Sequence, residues 1–262
     1  MQDYNDSTRN LYTTDEYLIK NPSLHEEDSA WKVINIIPLV DRFTNCINKN
    51  QINLLDVGGG AGLILDAVSS YVSKTLNITV NKYAIDLSPG ALKIQKQRNP
   101  DLIKALNEDI CKTSLDNKEI DLTLVIDLIE HVANPIKALE EIRRISNYAI
   151  FKVPLENNLI SKVWNSIKHG EPREKAAQQI GHINFYTYNS IRNLIQNHTG
   201  QILDCYFTNV HKYLLNSQYY VDKRNKMSKL ISIGGGLTYR LSPRLAAYIF
   251  SDFAMLLVSC DF

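Results

Sequence analysis

The residue types best suited to binding a ligand lie in one short segment near residue 60. An apolar run from Leu54 to Val57 contains the acid Asp56, and four glycines follow directly: Gly58, Gly59, Gly60 and Gly62. Residues without a Cβ can adopt positive φ and let another molecule lie against the backbone. The apolar spacing from Leu63 onward predicts a helix, whose first N–H groups would add a partial positive charge. The segment therefore predicts a strand, a turn and a helix that bind a polar ligand containing a nucleoside.

The spacing of the glycines separates two kinds of nucleotide site. Dinucleotide-binding folds use G-x-G-x-x-G, with the pyrophosphate at the N-terminus of the helix. Here Gly62 comes one residue early, and the anion of Asp56 would repel a pyrophosphate but attract an ammonium or sulfonium group. The pattern counts against a nicotinamide-dependent oxidoreductase, which stays open as an alternative together with a glycine-rich turn that binds nothing.

The pattern Asp56-x-Gly58-x-Gly60-x-Gly62 resembles motif I of the class I S-adenosylmethionine-dependent methyltransferases, and a second segment fits the same family. Asp86-Leu87-Ser88-Pro89 follows the second predicted strand, with Ser88 as a helix N-cap and Pro89 as the first helical residue. The resemblance implies that Asp86, beside Leu87, binds the ribose hydroxyls of the cofactor. An acid at the carboxyl edge of a strand can accept both hydroxyls of a ribose.

Two further segments carry the same resemblance. Asp109 and Ile110 follow the third predicted strand, where family members place an acid and an apolar residue against the adenine. Asp127-Leu-Ile-Glu130-His131-Val follows the fourth, almost wholly apolar strand, and it is similar to the motif found there in ubiquinone-type and related small-molecule methyltransferases. The resemblance implies that Asp127 contacts the methionine part of S-adenosylmethionine.

Over roughly residues 52–207, the resemblance implies an α/β fold of the Rossmann-like kind. We expect a seven-stranded, mostly parallel sheet with an antiparallel last strand and helices on both faces. The expected cofactor is S-adenosylmethionine.

Two histidines are candidates for removing a proton from the methyl acceptor. His182 begins a His-x-x-Phe-x-Thr run that resembles the segment before the last helix in many small-molecule methyltransferases, and it is the preferred base. His131 could also act as a base, although a histidine in its motif is more often a structural hydrogen-bonding group. Because no cluster of His, Asp and Glu has the spacing of a metal site, no metal ion is predicted.

The segments outside this core are predicted to build the acceptor pocket. Residues 1–50 are interpreted as an N-terminal helical cap, and residues 51–262 as the methyltransferase domain, with pocket-covering insertions at about 157–185 and 209–250. The glycines at positions 234–236 are predicted to form a flexible turn.

Within the N-terminal segment, a helix is predicted over about residues 29–46. Tyr17, His25 and Trp31 are the residues there expected to contact the acceptor. An apolar stripe at helical spacing can equally pack on the sheet, so both interpretations of this helix stay open.

Composition limits the classes of partner. Lys and Arg total 29 against 28 for Asp and Glu in a chain of 262 residues, which argues against a nucleic-acid partner bound through its phosphates. The four cysteines form no C-x-x-C pair and are expected to be reduced thiols.

The polar N-terminal residues predict no signal peptide, and Ser251 and Asp252 interrupt the longest apolar stretch. A cytoplasmic protein without an integral membrane segment is expected.

The sequence thus predicts an enzyme that transfers a methyl group from S-adenosylmethionine to a hydroxyl or amine of a small-molecule metabolite. Two further alternatives remain beside those named above. One is a partner subunit that binds S-adenosylmethionine without catalysis. The other is a methyltransferase acting on a macromolecule, which is disfavoured by the balanced charge and by the absence of an Asn-Pro-Pro-Tyr type motif after the fourth strand.

Overall fold

A computed structural model describes residues 12–14, 16–21, 23–24, 26–221 and 225–261. Seven strands form one sheet in this part of the chain. They are β1 (Gln51–Val57), β2 (Thr79–Ile85), β3 (Leu102–Leu106), β4 (Ile120–Ile126), β5 (Ser146–Pro154), β6 (Gln201–Phe207) and β7 (Phe253–Ser259). Their order is β3-β2-β1-β4-β5-β7-β6, and only β7 runs antiparallel to its neighbours. The predicted Rossmann-like sheet with an antiparallel last strand is therefore confirmed.

Helices surround the sheet. In chain order they are α1 (Glu16–Lys20), α2 (Ser29–Thr44), α3 (Leu63–Thr75), α4 (Pro89–Arg98), α5 (Pro135–Ile145), α6 (Leu159–Ile167), α7 (Glu171–Ile180), α8 (Tyr188–His198), α9 (Val210–Asn216), α10 (Gln218–Val221), α11 (Lys226–Leu241) and α12 (Pro243–Ile249). Two short 3-10 helices cover Glu26–Asp28 and Ile129–His131.

Two hydrophobic clusters form the core, one on each face of the sheet. Alternate residues of a strand point to opposite faces, so Leu54 packs in one cluster and Leu55 in the other. The first cluster contains buried side chains of α5 and α8, and the second contains those of α2 and α3. Helix α2 buries Ile36, Leu39 and Phe43 in this way, so its apolar stripe packs against the sheet.

Local capping explains why helices begin directly after the strands that line the site. The Ser88 hydroxyl accepts a hydrogen bond from the N–H of Ala91 at 3.0 Å, and Pro89 occupies the first position of α4. The Asn134 side chain accepts from the N–H of Lys137 at 3.1 Å at the start of α5. The short connections that result keep the residues between strand and helix at the carboxyl edge of the sheet.

The prediction of a flexible turn at residues 234–236 was wrong, because these glycines lie inside α11. Gly235 is buried against α9, where an added Cβ would lie 2.3 Å from Cδ2 of His211. An added Cβ on Gly234 would contact the ring of Phe250 at 3.3 Å. The small residues therefore allow close packing between helices, which overrides the usual preference of glycine for turns.

Candidate active site

The loop between β1 and α3 has the open backbone surface that its glycines predicted. Gly58 and Gly60 have φ values of +66° and +53°, in the left-handed region that favours glycine. The nearest atoms to an added Cβ on Gly60 belong to Leu24, at 3.9 Å. Gly59 instead lies directly over Asp56, whose Oδ2 would be 2.0 Å from an added Cβ. Gly62 caps α3 and shapes the turn, but it is not among the residues lining the two cavities described below.

A first cavity of about 370 Å³ lies beside this loop, at the carboxyl ends of β1, β2 and β4. Asp86, Leu87, Asp109 and Ile110 all line it, as the sequence analysis expected. The Asp86 side chain is held by the N–H of Ser88 at 2.9 Å, and that of Asp109 by the N–H of Cys111 at 2.9 Å. Both carboxylates are thus fixed in position at the wall of a cavity that is otherwise mainly apolar.

A second cavity of about 270 Å³ adjoins the first. Five residues line both cavities: Leu24, Gly58, Gly60, Asp127 and His131. The second cavity also contains Asp56, Gly59, Glu130, Glu156 and His182, so most of the ionisable groups face this end. The glycine loop therefore lies between a mainly apolar cavity and a second cavity that contains Asp56, Glu130, Glu156 and His182.

A chain of buried charges forms one wall of the second cavity. Asp127, in a left-handed conformation with φ +51°, pairs with Lys152 Nζ at 2.5 Å and with Lys32 Nζ at 3.1 Å. Lys32 also reaches Asp28 at 2.9 Å. Burial alone would raise the pKa of Asp127, but Lys152 and Lys32 hold this pKa below its usual range. Asp127 is therefore a fixed anion that links the start of α2 to the end of β4.

Asp56 has a different environment from Asp127. It is almost fully buried beneath the glycine loop, and its Oδ2 has no hydrogen-bond partner among the described residues. Burial, followed by repulsion from Asp86, raises the pKa of Asp56 to about 7. A carboxyl group in this state would be stabilised as an anion by any cationic ligand group placed near it.

Both predicted catalytic histidines lie at the second cavity and contact each other. Their ring centroids are 4.7 Å apart in an edge-on arrangement. His182 Nδ1 lies 2.7 Å from Glu156 Oε2, and His131 Nδ1 lies 2.9 Å from the hydroxyl of Tyr12. When the Nδ1–H of His182 donates to the Glu156 carboxylate, its Nε2 carries a free lone pair and can accept a proton.

Glu130 completes a cluster with these two histidines. It is fully buried, and neither carboxylate oxygen has a hydrogen-bond partner in the described part of the chain. Burial, with a further contribution from Asp127, raises the pKa of Glu130 well above its usual range. Ligand atoms of Glu130, His131 and His182 all lie within 4.8 Å of one another, which is the geometry of a candidate cation site. One carboxylate and two imidazoles suit a divalent metal such as zinc or iron.

The N-terminal residues predicted to contact the acceptor are only partly placed. Trp31 is not among the residues lining either cavity; it stacks on Tyr213 with ring centroids 4.5 Å apart and packs edge-on against Phe253. Phe253 in turn lines the second cavity. His25 and the side chain of Tyr17 lie outside the described residues.

The structure adds functional candidates that the sequence analysis did not name. Lys32, Glu156 and Tyr12 reach the cavities from three separate parts of the chain. No local sequence pattern identifies these residues, because each contacts a partner more than 25 positions away. Lys32 pairs with Asp127, Glu156 with His182, and Tyr12 with His131. Glu130 was part of a recognised motif, but only the fold shows that it is buried beside two histidines.

Comparison with known proteins gives a domain family and a fold. A family model described as a methyltransferase domain matches residues 55–147. A search of curated proteins finds no match. Among solved structures, geranyl diphosphate C-methyltransferase from Streptomyces coelicolor, in complex with Mg²⁺, geranyl diphosphate and S-adenosylhomocysteine, has a TM-score of 0.58 at 10% identity. The match covers 88% of this chain and 81% of that one.

Two other methyltransferases have a similar fold. A putative sarcosine dimethylglycine methyltransferase from Galdieria sulphuraria has a TM-score of 0.56 at 12% identity, covering 87% of this chain and 82% of that one. Phosphoethanolamine N-methyltransferase 2 from Haemonchus contortus, with phosphomonomethylethanolamine and S-adenosylhomocysteine, has a TM-score of 0.56 at 13% identity, covering 87% of this chain and 52% of that one.

The chain contains a methyltransferase domain and has the fold of the class I S-adenosylmethionine-dependent methyltransferases. The resemblance predicted from the glycine loop and the strand-end acids is thereby confirmed for the domain and the fold, and structures with this fold were solved with S-adenosylmethionine or S-adenosylhomocysteine bound. The residues present fit S-adenosylmethionine, since the open glycine loop lies between the first cavity, which the fixed acid Asp86 lines, and the second, which Asp56 lines with no hydrogen-bond partner for Oδ2 among the described residues. No described helix is both long and apolar enough to cross a membrane.

Proposed function

We propose that this chain transfers a methyl group from S-adenosylmethionine to a hydroxyl or amine of a small molecule. The observation that carries this proposal is the pair of adjoining cavities, one lined by the predicted cofactor residues and the other by the His182–Glu156 pair. Their shared wall at Gly58, Gly60 and Asp127 brings a donor and an acceptor together. Holding two reactants in line accounts for most of the catalysis expected of such an enzyme.

The first cavity would hold the nucleoside. Asp86 would accept the ribose hydroxyls, Asp109 the adenine amino group, and Leu87 and Ile110 would cover the apolar surfaces. The anion of Asp56 lies where the loop separates the two cavities and would attract the cationic part of the cofactor. When bound, S-adenosylmethionine supplies a methyl group made electrophilic by its sulfonium.

The second cavity would hold the acceptor. His182 would accept the proton of an acceptor hydroxyl at Nε2, while Glu156 orients the ring and stabilises the imidazolium that forms. Burial and the neighbouring Asp127 raise the pKa of Glu130 and favour its protonated form, whereas His182 lies less deeply buried and is oriented by Glu156. His182 is therefore the base proposed for this step.

The cluster of Glu130, His131 and His182 supports a second arrangement for the same reaction. These residues would hold a divalent cation that binds the acceptor oxygen and lowers its pKa, so that no protein base is needed. The sequence-based expectation of no metal site thus stays a prediction, and activity after treatment with a chelator decides between the two arrangements.

Formation of S-adenosylhomocysteine tests the proposal with any acceptor. We would measure it by mass spectrometry with panels of phenols, alcohols and amines, using the wild type, His182→Gln and Glu156→Gln. With a hydroxyl acceptor, His182→Gln is expected to lower kcat about 100-fold or more while the Kd for S-adenosylmethionine stays the same. Glu156→Gln should give a smaller loss.

Three other results would change the assignment. Loss of activity with EDTA and recovery with added Zn²⁺ or Mg²⁺ would favour the cation arrangement. Full activity in His182→Gln without a metal requirement would remove the base assignment. Tight binding of S-adenosylmethionine with no product from any acceptor would favour the non-catalytic partner subunit.

A further inference from the structure

Helix α11 turns its apolar side outward. Its large hydrophobic residues recur every three or four positions along one side of the helix, and their exposed fractions run from 48% to 86%: Met227, Leu230, Ile233, Leu237 and Leu241. Ser232 and Gly235 are buried on the opposite side. A surface helix of a globular protein normally turns its polar side to solvent, so this arrangement is the reverse of the usual one.

Two neighbouring helices extend the exposed apolar surface. Helix α6 exposes four large hydrophobic residues and buries none: Leu159, Val163, Trp164 and Ile167. Helix α12 exposes Leu245 and Tyr248, and it packs against both α6 and α11. Single exposed apolar residues are ordinary, but a connected set on three adjacent helices marks an interaction surface. We call this set the outer face of α6, α11 and α12.

The charged residues of the three helices that form the outer face are all of one sign. Helices α6, α11 and α12 contain no Asp or Glu, while six cations lie within them or at their ends: Lys162, Lys168, Lys226, Lys229, Arg240 and Arg244. None of the six forms an ion pair with another described residue. Lys168 instead lies over the ring of Trp164, 5.4 Å from its centroid. The chain as a whole is close to neutral, so the excess of cations on these three helices is a local feature, although Glu171 and Glu174 begin the helix that follows Lys168.

We propose that the outer face of α6, α11 and α12 docks the protein on the surface of an anionic lipid bilayer. Helices with an apolar face and flanking Lys or Arg lie in the interface of such membranes, with the apolar side chains in the acyl boundary and the cations at the headgroups. Trp164 and Tyr248 are residue types enriched at this depth. A bilayer with anionic lipids supplies an apolar layer for the exposed hydrophobic side chains and negative charge for the cations.

The charges also argue against a second copy of the chain as the occupant. In a twofold dimer the same patch meets itself, so the cations of one outer face would approach those of the other. Such contacts between like charges are unfavourable. An anionic surface has the complementary charge. The proposal goes beyond methyl transfer and does not depend on it.

Short stretches of chain connect the outer face to the second cavity. Helix α6 begins at Leu159, directly after the segment that carries Glu156, and Phe253 follows closely after α12. Docking through this face would therefore bring the second cavity near the headgroup region, where amphiphilic acceptors concentrate.

Co-sedimentation with lipid vesicles tests the proposal. We would use the full chain with large unilamellar vesicles of phosphatidylcholine alone, or of phosphatidylcholine with phosphatidylglycerol. The test variant is the double substitution Leu230→Glu and Leu237→Glu, at two highly exposed positions. The matched control is Ile103→Glu, which places the same charge on an exposed isoleucine of β3, at the opposite edge of the sheet from β6.

We expect the wild type and Ile103→Glu to bind the anionic vesicles, with binding that weakens as salt is added. The double variant should bind about tenfold less or weaker, while its melting temperature and its affinity for S-adenosylmethionine match those of the wild type. Equal binding of the double variant and the wild type, or no preference for phosphatidylglycerol, would overturn the proposal. A wild-type dimer that the double variant abolishes, without vesicle binding, would identify a second copy as the occupant and also overturn it.

Discussion

Replacing Asp56 with asparagine should stabilise the folded chain at neutral and alkaline pH. The carboxyl group lies buried under Gly59 without a hydrogen-bond partner for Oδ2 among the described residues, and its pKa rises from an ordinary 3.8 to about 7. An asparagine has nearly the same shape as the protonated acid and never ionises. The variant therefore removes the cost of burying an anion at this position.

The sign and size of the effect follow from the two pKa values. Below pH 3.8 the side chain is protonated in both the folded and the unfolded chain, so it adds no pH dependence. As the pH rises toward 7, the unfolded chain loses the proton and the folded chain keeps it, so the wild type loses about 1.4 kcal/mol of stability per pH unit. The accumulated loss reaches about 4 kcal/mol and stays constant above pH 7.

Urea unfolding at pH 4, 5, 6, 7 and 8, followed by circular dichroism, measures this difference. Other titrating groups are present in both proteins and cancel when the two free energies of unfolding are subtracted. Asp116→Asn is the matched control, because Asp116 is exposed and lies outside both cavities. The advantage of Asp56→Asn should grow from near zero at pH 4 to several kcal/mol at pH 8, while its affinity for S-adenosylmethionine falls. A difference that does not change with pH, or a wild type that is the more stable protein at pH 8, would refute the reasoning.

Two further predictions use matched pairs of substitutions. Gly59→Ala should weaken S-adenosylmethionine binding at least tenfold in titration calorimetry, because the new Cβ would lie 2.0 Å from the Asp56 carboxylate. Gly236→Ala is its matched control. An added Cβ there has nothing within 4 Å, so this variant should raise the free energy of unfolding by about 0.5–1 kcal/mol in a thermal melt. Lys152→Met should cost about 3–5 kcal/mol in urea unfolding, since it breaks an ion pair whose lysine is fully buried, whereas Lys20→Met removes an exposed pair worth about 0.5 kcal/mol or less. Retained cofactor affinity in Gly59→Ala, or equal losses in the two lysine variants, would contradict these accounts.

Features with a local cause could be predicted from the sequence. The alternation and apolar runs of the strands, the Ser88 cap with Pro89, and the glycine spacing each depend on residues a few positions apart. The predicted strands were enough to expect Asp86 and Asp109 near each other, although the order of strands in the sheet was not known. Acids that follow parallel strands meet at the carboxyl edge of the sheet, and both line the first cavity.

Features with a distant cause could not be predicted. Lys32 matters because it pairs with Asp127, and Glu156 because it holds His182, yet neither has a sequence pattern. The glycines in α11 are a second case in which a distant contact makes the local prediction wrong. Their composition favours a turn, but the close packing of His211 against Gly235 keeps the helix continuous.

The central claim is that the glycine loop and Asp86 form an S-adenosylmethionine site, and titration calorimetry tests it most directly. The purified chain would be titrated with S-adenosylmethionine, S-adenosylhomocysteine and nicotinamide cofactors, with Asp86→Ala as the test variant and the exposed Asp116→Ala as its control. We expect micromolar binding of both S-adenosyl ligands (about −8 kcal/mol), lost in Asp86→Ala and retained in Asp116→Ala. No binding of either S-adenosyl ligand, or binding that is indifferent to Asp86, would contradict the account.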